Sequence, residues 1–334
     1  MLRTTVIFVL VAVGCSDPSR GQTRSETRSE TSGTLANAAP ARATSDPTGS
    51  DPLPSWNDGA TKRRLVDFVD RVTRDGGSDF VPVEARIAVF DNDGTLWTEW
   101  PFPPEAAFVL DHVRMTPARL AGAGSALGIL ATTEAGISTD EFEQVVGDWI
   151  ATATQPRFKR HYTELVYQPM LELLAYLRSR GFKTYLVSGD EADFMRVWAE
   201  RTYGIPPEQV IGTRLALHYE EGSAGPILVR QPRIELLDDK AGKAVGIEEM
   251  IGRRPIAAFG NSDGDLEMLE WTTSAARFRL GVLVHHTDAA REYAYDRDAL
   301  VGRLARGLDE AAQHDWLVVD MKRDWKVVFP FERR

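Results

Sequence analysis

The sequence predicts an α/β fold in which a doubly wound parallel sheet carries helices on both faces and is interrupted by a helical insertion. Two features predict it. Four short apolar runs, at 86–90, 184–187, 256–259 and 282–284, each end in a polar cluster, and amphipathic helical patterns lie between them. Runs of this length suit strands buried on both faces, and their alternation with helices implies a parallel sheet. Polar residues beyond the carboxyl ends of such strands meet in one crevice.

The chain opens with Met1, Leu2 and Arg3, then a mostly apolar run from Thr4 to Val13, then Gly14 and the single cysteine of the sequence, Cys15. The run is too short to span a bilayer and has the layout of a removable export signal. It resembles a bacterial lipoprotein signal, in which the cysteine becomes the lipidated first residue, although Ala12 stands where that motif usually has leucine. The resemblance implies export, with Cys15 anchoring the protein to a membrane of the cell envelope, in the periplasm or at the cell surface. The alternative is an ordinary secretory signal with an incidental cysteine. One cysteine also excludes a disulfide framework and a cysteine-based zinc site.

Residues 16–55 are rich in Ser, Thr, Ala, Arg and Pro, with Leu35 and Leu53 the only large apolar side chains, so this stretch is expected to be a disordered tether. The folded region is expected from Trp56 onward, with core over 56–99 and 164–334. That region carries the whole formal charge of -10, because the signal contributes one positive charge and the tether one negative. So acidic a surface repels phosphate backbones and argues against nucleic acid as a partner.

Leu65, Phe68, Val69 and Val72 recur at helical spacing, with Gly76 placed to end the helix. The first apolar run then leads into Asp91-Asn92-Asp93-Gly94-Thr95. The stretch 100–163 departs from the alternation: Ser138 to Glu141 reads as a capping box, and Phe142, Val145, Val146, Trp149 and Ile150 form one helical face. Met170, Leu174 and Leu177 mark a helix ending at Gly181. A second excursion, Leu215 to Val229, has the pattern of a β-hairpin around Glu221-Gly222-Ser223.

Two carboxylates one residue apart at a strand end can divide nucleophilic and acid/base work, Asp91 attacking while Asp93 handles the proton. The competing explanation is a turn rich in Asp, Asn and Gly. The motif has company, however. Asp91-Asn92-Asp93-Gly94-Thr95-Leu96, then Ser188-Gly189, then Lys243 ahead of a helix, then Gly260-Asn261-Ser262-Asp263-Gly264-Asp265 resemble, in order, the four motifs of the haloacid dehalogenase superfamily. The resemblance spans about Ile87 to His286 and is closest to the branch that contains phosphoserine phosphatase.

That resemblance implies a Rossmann-like core, a helical cap formed by 100–163, and a Mg²⁺-dependent phosphohydrolase acting on small phosphorylated metabolites. Asp91 matches the nucleophile that becomes an aspartyl-phosphate and Asp93 the general acid. Thr95, Ser188, Gly189 and Lys243 match the groups around the phosphoryl oxygens. Asp91, Asp93 through its carbonyl, Asn261 and Asp265 match the metal site. Lys240 is an alternative to Lys243, and Asp263 to Asn261, where related sequences commonly have aspartate. Asp190 stands where glycine is frequent, and its charge there is unexplained. Asp93 favours phosphate chemistry over dehalogenation, which has no leaving oxygen to protonate. Competing functions are phosphoserine phosphatase itself, a phosphomutase, or a surface-tethered binder without turnover. Arg157, Lys159, Arg160, His161 and Tyr162 are candidate substrate contacts, with a solvated basic stretch the plainer explanation, and His285 and His286 are candidates to reach the crevice.

Overall fold

The computed structural model describes residues 51–115, 135–275 and 278–332. Cys15, the export signal and nearly all of the tether lie outside the described residues, as does part of the helical insertion. The packed chain starts slightly earlier than expected. Leu53 is fully buried and Ser55 donates its backbone N–H and its hydroxyl to Glu172, so these residues belong to the core rather than to the tether.

In chain order the elements are α1 (Ala60–Thr73), β1 (Ile87–Phe90), α2 (Pro104–Met115) and α3 (Thr139–Thr152). A two-strand ladder of β2 (Thr154–Gln155) and β3 (Arg160–His161) follows, then α4 (Gln168–Ser179), β4 (Lys183–Glu191), α5 (Ala192–Arg196) and α6 (Ala199–Tyr203). Next come β5 (Val210–Gly222), β6 (Gly225–Leu236), α7 (Ala241–Ile251), β7 (Ala257–Gly260), α8 (Leu266–Thr273) and β8 (Leu280–Thr287). The chain closes with β9 (Ala294–Tyr295), α9 (Arg306–Glu310), β10 (Leu317–Asp320) and α10 (Met321–Asp324).

The main sheet runs β10-β8-β7-β1-β4-β5-β6, with β9 beside β8. Its pairs are parallel except β5 with β6 and β8 with β9. This is the expected doubly wound α/β sheet. Alternation along β1 shows why both faces are covered: Ala88 and Phe90 join the core cluster under α1 and α4, while Ile87 and Val89 join the one under α7 and α8. Phe90 stacks on Phe259 of the adjacent β7, centroids 4.3 Å apart, which locks the two strands whose ends carry the first and last motifs.

Two elements exceed their sequence signals. The hairpin is longer than its apolar pattern, and the first residues of β5 also join the main sheet beside β4. β10, an edge strand parallel to β8, has no motif to announce it. Within the insertion, the Ser138/Glu141 capping box forms as read, and α3 buries Phe142, Val146 and Ile150.

Candidate active site

β1 delivers Asp91. Its backbone N–H continues the ladder to Phe259 O at 2.9 Å, so its carboxylate leaves the sheet at the strand end. The chain then folds back on itself, with Asn92 O accepting N–H groups of Thr95 and Leu96 at 3.1 and 2.8 Å. Gly94 has φ +73°, and a Cβ there would overlap the Asn261 amide and the Glu99 carboxylate, so the turn demands glycine twice over.

Lys243 projects from the first turn of α7 and places Nζ 2.6 Å from Asp91 Oδ1 and 2.5 Å from Asp265 Oδ1. All three are buried. Burial works against the ammonium, but Asp265 and Asp91 outweigh it and keep Lys243 charged. Burial and the Asp265 charge together push Asp91 well above the usual carboxylate range, with Lys243 opposing them. Lys240, the alternative cation, is exposed at the helix start with φ 54°, and Lys243 is the lysine that reaches Asp91.

Asp265 contributes differently from expectation. Its Oδ2 accepts from Asn261 N, Ser262 N and Ser262 Oγ at 3.0, 2.9 and 3.1 Å, while Oδ1 takes Lys243. With both oxygens engaged, it anchors the lysine and the motif turn rather than standing as an open ligand. The buried Thr95 hydroxyl, expected at the substrate, lies 3.1 Å from both Asp91 Oδ2 and Asn261 Oδ1 and braces the Asp91 carboxylate. Asp263 turns away to cap α9, accepting N–H groups of Ala305, Arg306 and Gly307. That leaves Asn261, whose Oδ1 converges with Asp91 Oδ2 on Thr95.

Ser188 and Gly189 sit where β4 bulges. Ser188 pairs with Gly212 of β5 and Glu191 with Thr213, so Gly189 and Asp190 are extruded between them. Gly189 is exposed there, and its carbonyl is held by Thr213 Oγ1 at 2.7 Å. The bulge also explains Asp190. Its side chain turns in to accept the Asn92 amide N–H at 3.2 Å and shares hydrogen bonds with Asp93 and Glu105. Burial raises all three carboxyls, and the Asp190 charge pushes Asp93 and Glu105 well above the usual range. After burial, the Asp190 charge is thus the largest influence that favours the protonated form of Asp93.

Asp93 Oδ1 takes the Trp97 indole N–H at 2.5 Å, and the buried Trp97 ring stacks on Trp198 at 4.3 Å. The same aromatic cluster includes Tyr162, Trp149, Phe108 and Phe194, which joins the inserted helices α2 and α3 to α5. Sequence reading missed Asn92, Trp97, Glu99, Glu105 and Tyr203, whose hydroxyl donates to Asn92 Oδ1 at 3.1 Å. The signal available for Glu99 was an acid set among Trp97, Thr98 and Trp100.

The basic stretch serves structure. Arg157 donates to Ala289 O at 2.9 Å and covers the Tyr293 ring, Arg160 pairs with Glu164, and His161 meets Ala153 O. Lys159 takes φ 55° between them. Of the two histidines, His285 faces Asp296, whereas His286 lies against the turn after Asp91, 2.7 Å from Gly94 O and 3.2 Å from Glu292.

The donor set suits a hard divalent cation: as ligands Asp91, Asp93 and Asn261 offer oxygens, and Asp91, Asp93 and Glu99 are carboxyls displaced upward by burial, which a cation beside them would favour in their ionised form.

A family model described as haloacid dehalogenase-like hydrolase matches residues 88–270. No curated protein matches. Among solved structures, a conserved protein of unknown function from Anaerococcus prevotii aligns with 15% identity and TM-score 0.45, over 68% of this chain and 86% of that one. A protein of unknown function from Bordetella pertussis aligns with 16% identity and TM-score 0.45, over 71% and 98%. A phosphoserine phosphohydrolase-like protein from Francisella tularensis aligns with 17% identity and TM-score 0.37, over 68% and 98%. Likenesses this distant do not distinguish one activity from another.

Proposed function

Because the chain belongs to the haloacid dehalogenase-like hydrolase family, we propose that it is a phosphohydrolase that cleaves small phosphomonoesters through an aspartyl-phosphate on Asp91. The observation that carries this reading is the contact of Lys243 Nζ with Asp91 at 2.6 Å across 152 residues of chain, which places a fixed positive charge beside a carboxylate at the end of β1. A carboxylate approaches a phosphate dianion only where such charge offsets their repulsion.

In the first step an Asp91 oxygen attacks phosphorus while the ester oxygen departs, taking the proton of Asp93. In the second, Asp93 removes a proton from water, the resulting oxygen attacks phosphorus, and Asp91 is released with inorganic phosphate. The bulge at Ser188 and Gly189 offers donors to the equatorial oxygens. Asp91, the Asp93 carbonyl and Asn261 would hold Mg²⁺, which supplies charge neutralisation at the transferring group when bound. The inserted segment, of which 100–115 and 135–163 are described, would act as a helical cap, the Tyr162 contact with Trp97 coupling it to the acid.

The proposal also places the protein outside the cytoplasm, lipid-anchored at Cys15. Cys15→Ser should release it from the membrane fraction, and a wild-type protein without lipid by mass analysis contradicts the anchor. The activity itself is tested with the full-length protein and a panel of phosphorylated metabolites, with and without Mg²⁺. Free inorganic phosphate is the expected product, whereas an isomeric ester means a mutase.

A further inference from the structure

Asn261 holds a position whose two ends face different chemistry. Nδ2 donates to Glu99 Oε1 at 2.7 Å, and Oδ1 accepts from Thr95 beside Asp91. Glu99 is buried, and its Oε1 also accepts the Tyr295 hydroxyl at 2.6 Å. The space for that oxygen is built into the backbone: Gly94 at φ +73° and Gly302 at φ +65° both lack the Cβ that would overlap it. A residue held on two donors between two glycines is not an incidental acid.

An amide can be reversed without changing its shape, so its orientation comes from its partners. Reversal here would press the Asn261 oxygen against a carboxylate oxygen that already accepts from Tyr295. A proton taken up by Glu99 would go to its other oxygen and leave this preference intact.

We infer that Glu99 is a positioning residue that takes the NH₂ end of Asn261 and so presents its oxygen toward Asp91. The inference rests on the metal-dependent reading above. It also accounts for the amide at 261, since an aspartate there would set two carboxylate oxygens against each other. Asn261 and Glu99 therefore form an exchangeable pair, in which aspartate at 261 is tolerated once position 99 is neutral.

The test uses the full-length protein stripped of metal, with Mg²⁺ binding followed by calorimetry and thermal midpoints taken in chelator. Glu99→Ala should weaken Mg²⁺ binding about 10- to 100-fold, the range typical of groups that orient a metal ligand. Glu99→Gln, which can still accept from Asn261, should weaken it much less. Without metal, Asn261→Asp should lower the midpoint, and the double variant Glu99→Gln/Asn261→Asp should recover most of the loss. Unchanged Mg²⁺ affinity in folded Glu99→Ala overturns the inference while leaving the metal reading intact, and additive midpoints in the double variant overturn it equally. Failure of the parent protein to bind Mg²⁺ overturns both.

Discussion

The indole N–H of Trp97 meets Asp93 Oδ1 at 2.5 Å, so the orientation of the proposed acid is set by a ring that is itself wedged against Trp198. The Asp190 charge acts on the same carboxyl and, after burial, does most to favour its protonated form.

Leaving-group chemistry tests that arrangement. An alkyl phosphate expels a basic alkoxide and needs a proton in the transition state, whereas a nitrophenyl ester does not. Asp93→Asn should slow phosphorylation by alkyl esters about 10²- to 10⁴-fold and by aryl esters far less, while slowing phosphate release for both. Trp97→Phe keeps the stack and removes only the donor, so the same pattern is expected at about tenfold, near the worth of one hydrogen bond. Single-turnover kinetics separate the steps, and equal losses for both esters in phosphorylation count against Asp93 as acid.

Lys243→Met is expected to damage stability as well as activity. It leaves Asp91 and Asp265 buried without the ammonium that each meets within 2.6 Å. Removing one partner of a buried ion pair costs about 3–5 kcal/mol, to be measured by denaturant unfolding without metal. Loss of the charge facing phosphate should lower kcat about 10²- to 10³-fold. A variant as stable as its parent would show that the carboxyls are not held by this lysine.

The buried acids also dictate how metal-free stability depends on pH. Burial raises Glu99 from 4.5 to about 7 and Asp238 from 3.8 to about 7, and Asp93 and Glu105 move in the same direction. A group that binds its proton more tightly when folded gives its full stabilisation below the unfolded pKa and loses it as pH rises through the folded value. The thermal midpoint in chelator should therefore fall between about pH 5 and about pH 8. Mg²⁺ should raise it more at the upper end, because a cation favours the ionised carboxyls. A midpoint that climbs over this range would contradict the burial described for these groups.

Much of this was legible in the sequence, for reasons that particular residues make clear. β1, β4, β7 and β8 announce themselves because a strand buried on both faces must be apolar throughout and its polar end abrupt. Asp91, Asp93 and Asn261 stood out as candidates because they follow such strands, Ser188 because it ends the apolar run of β4, and Lys243 because it opens a helical run. The place of Thr95 could be read only in part, since its hydroxyl lies between Asp91, four residues back, and Asn261, 166 residues away. Glu99 and Glu105 were missed because their partners are remote: Tyr295, 196 residues on, and the Glu191 N–H, 86 residues on. Asp190 became intelligible only through the β4 bulge, which depends on the pairing with β5.

The central claim is that Asp91 carries the phosphoryl group. Full-length protein mixed with substrate and Mg²⁺, quenched in acid within a turnover and digested, should yield one phosphorylated peptide, with the modification on Asp91 and labile to base. Asp91→Asn should yield none and have background turnover. Phosphate on another residue, or no adduct together with substantial turnover by Asp91→Asn, would contradict the account.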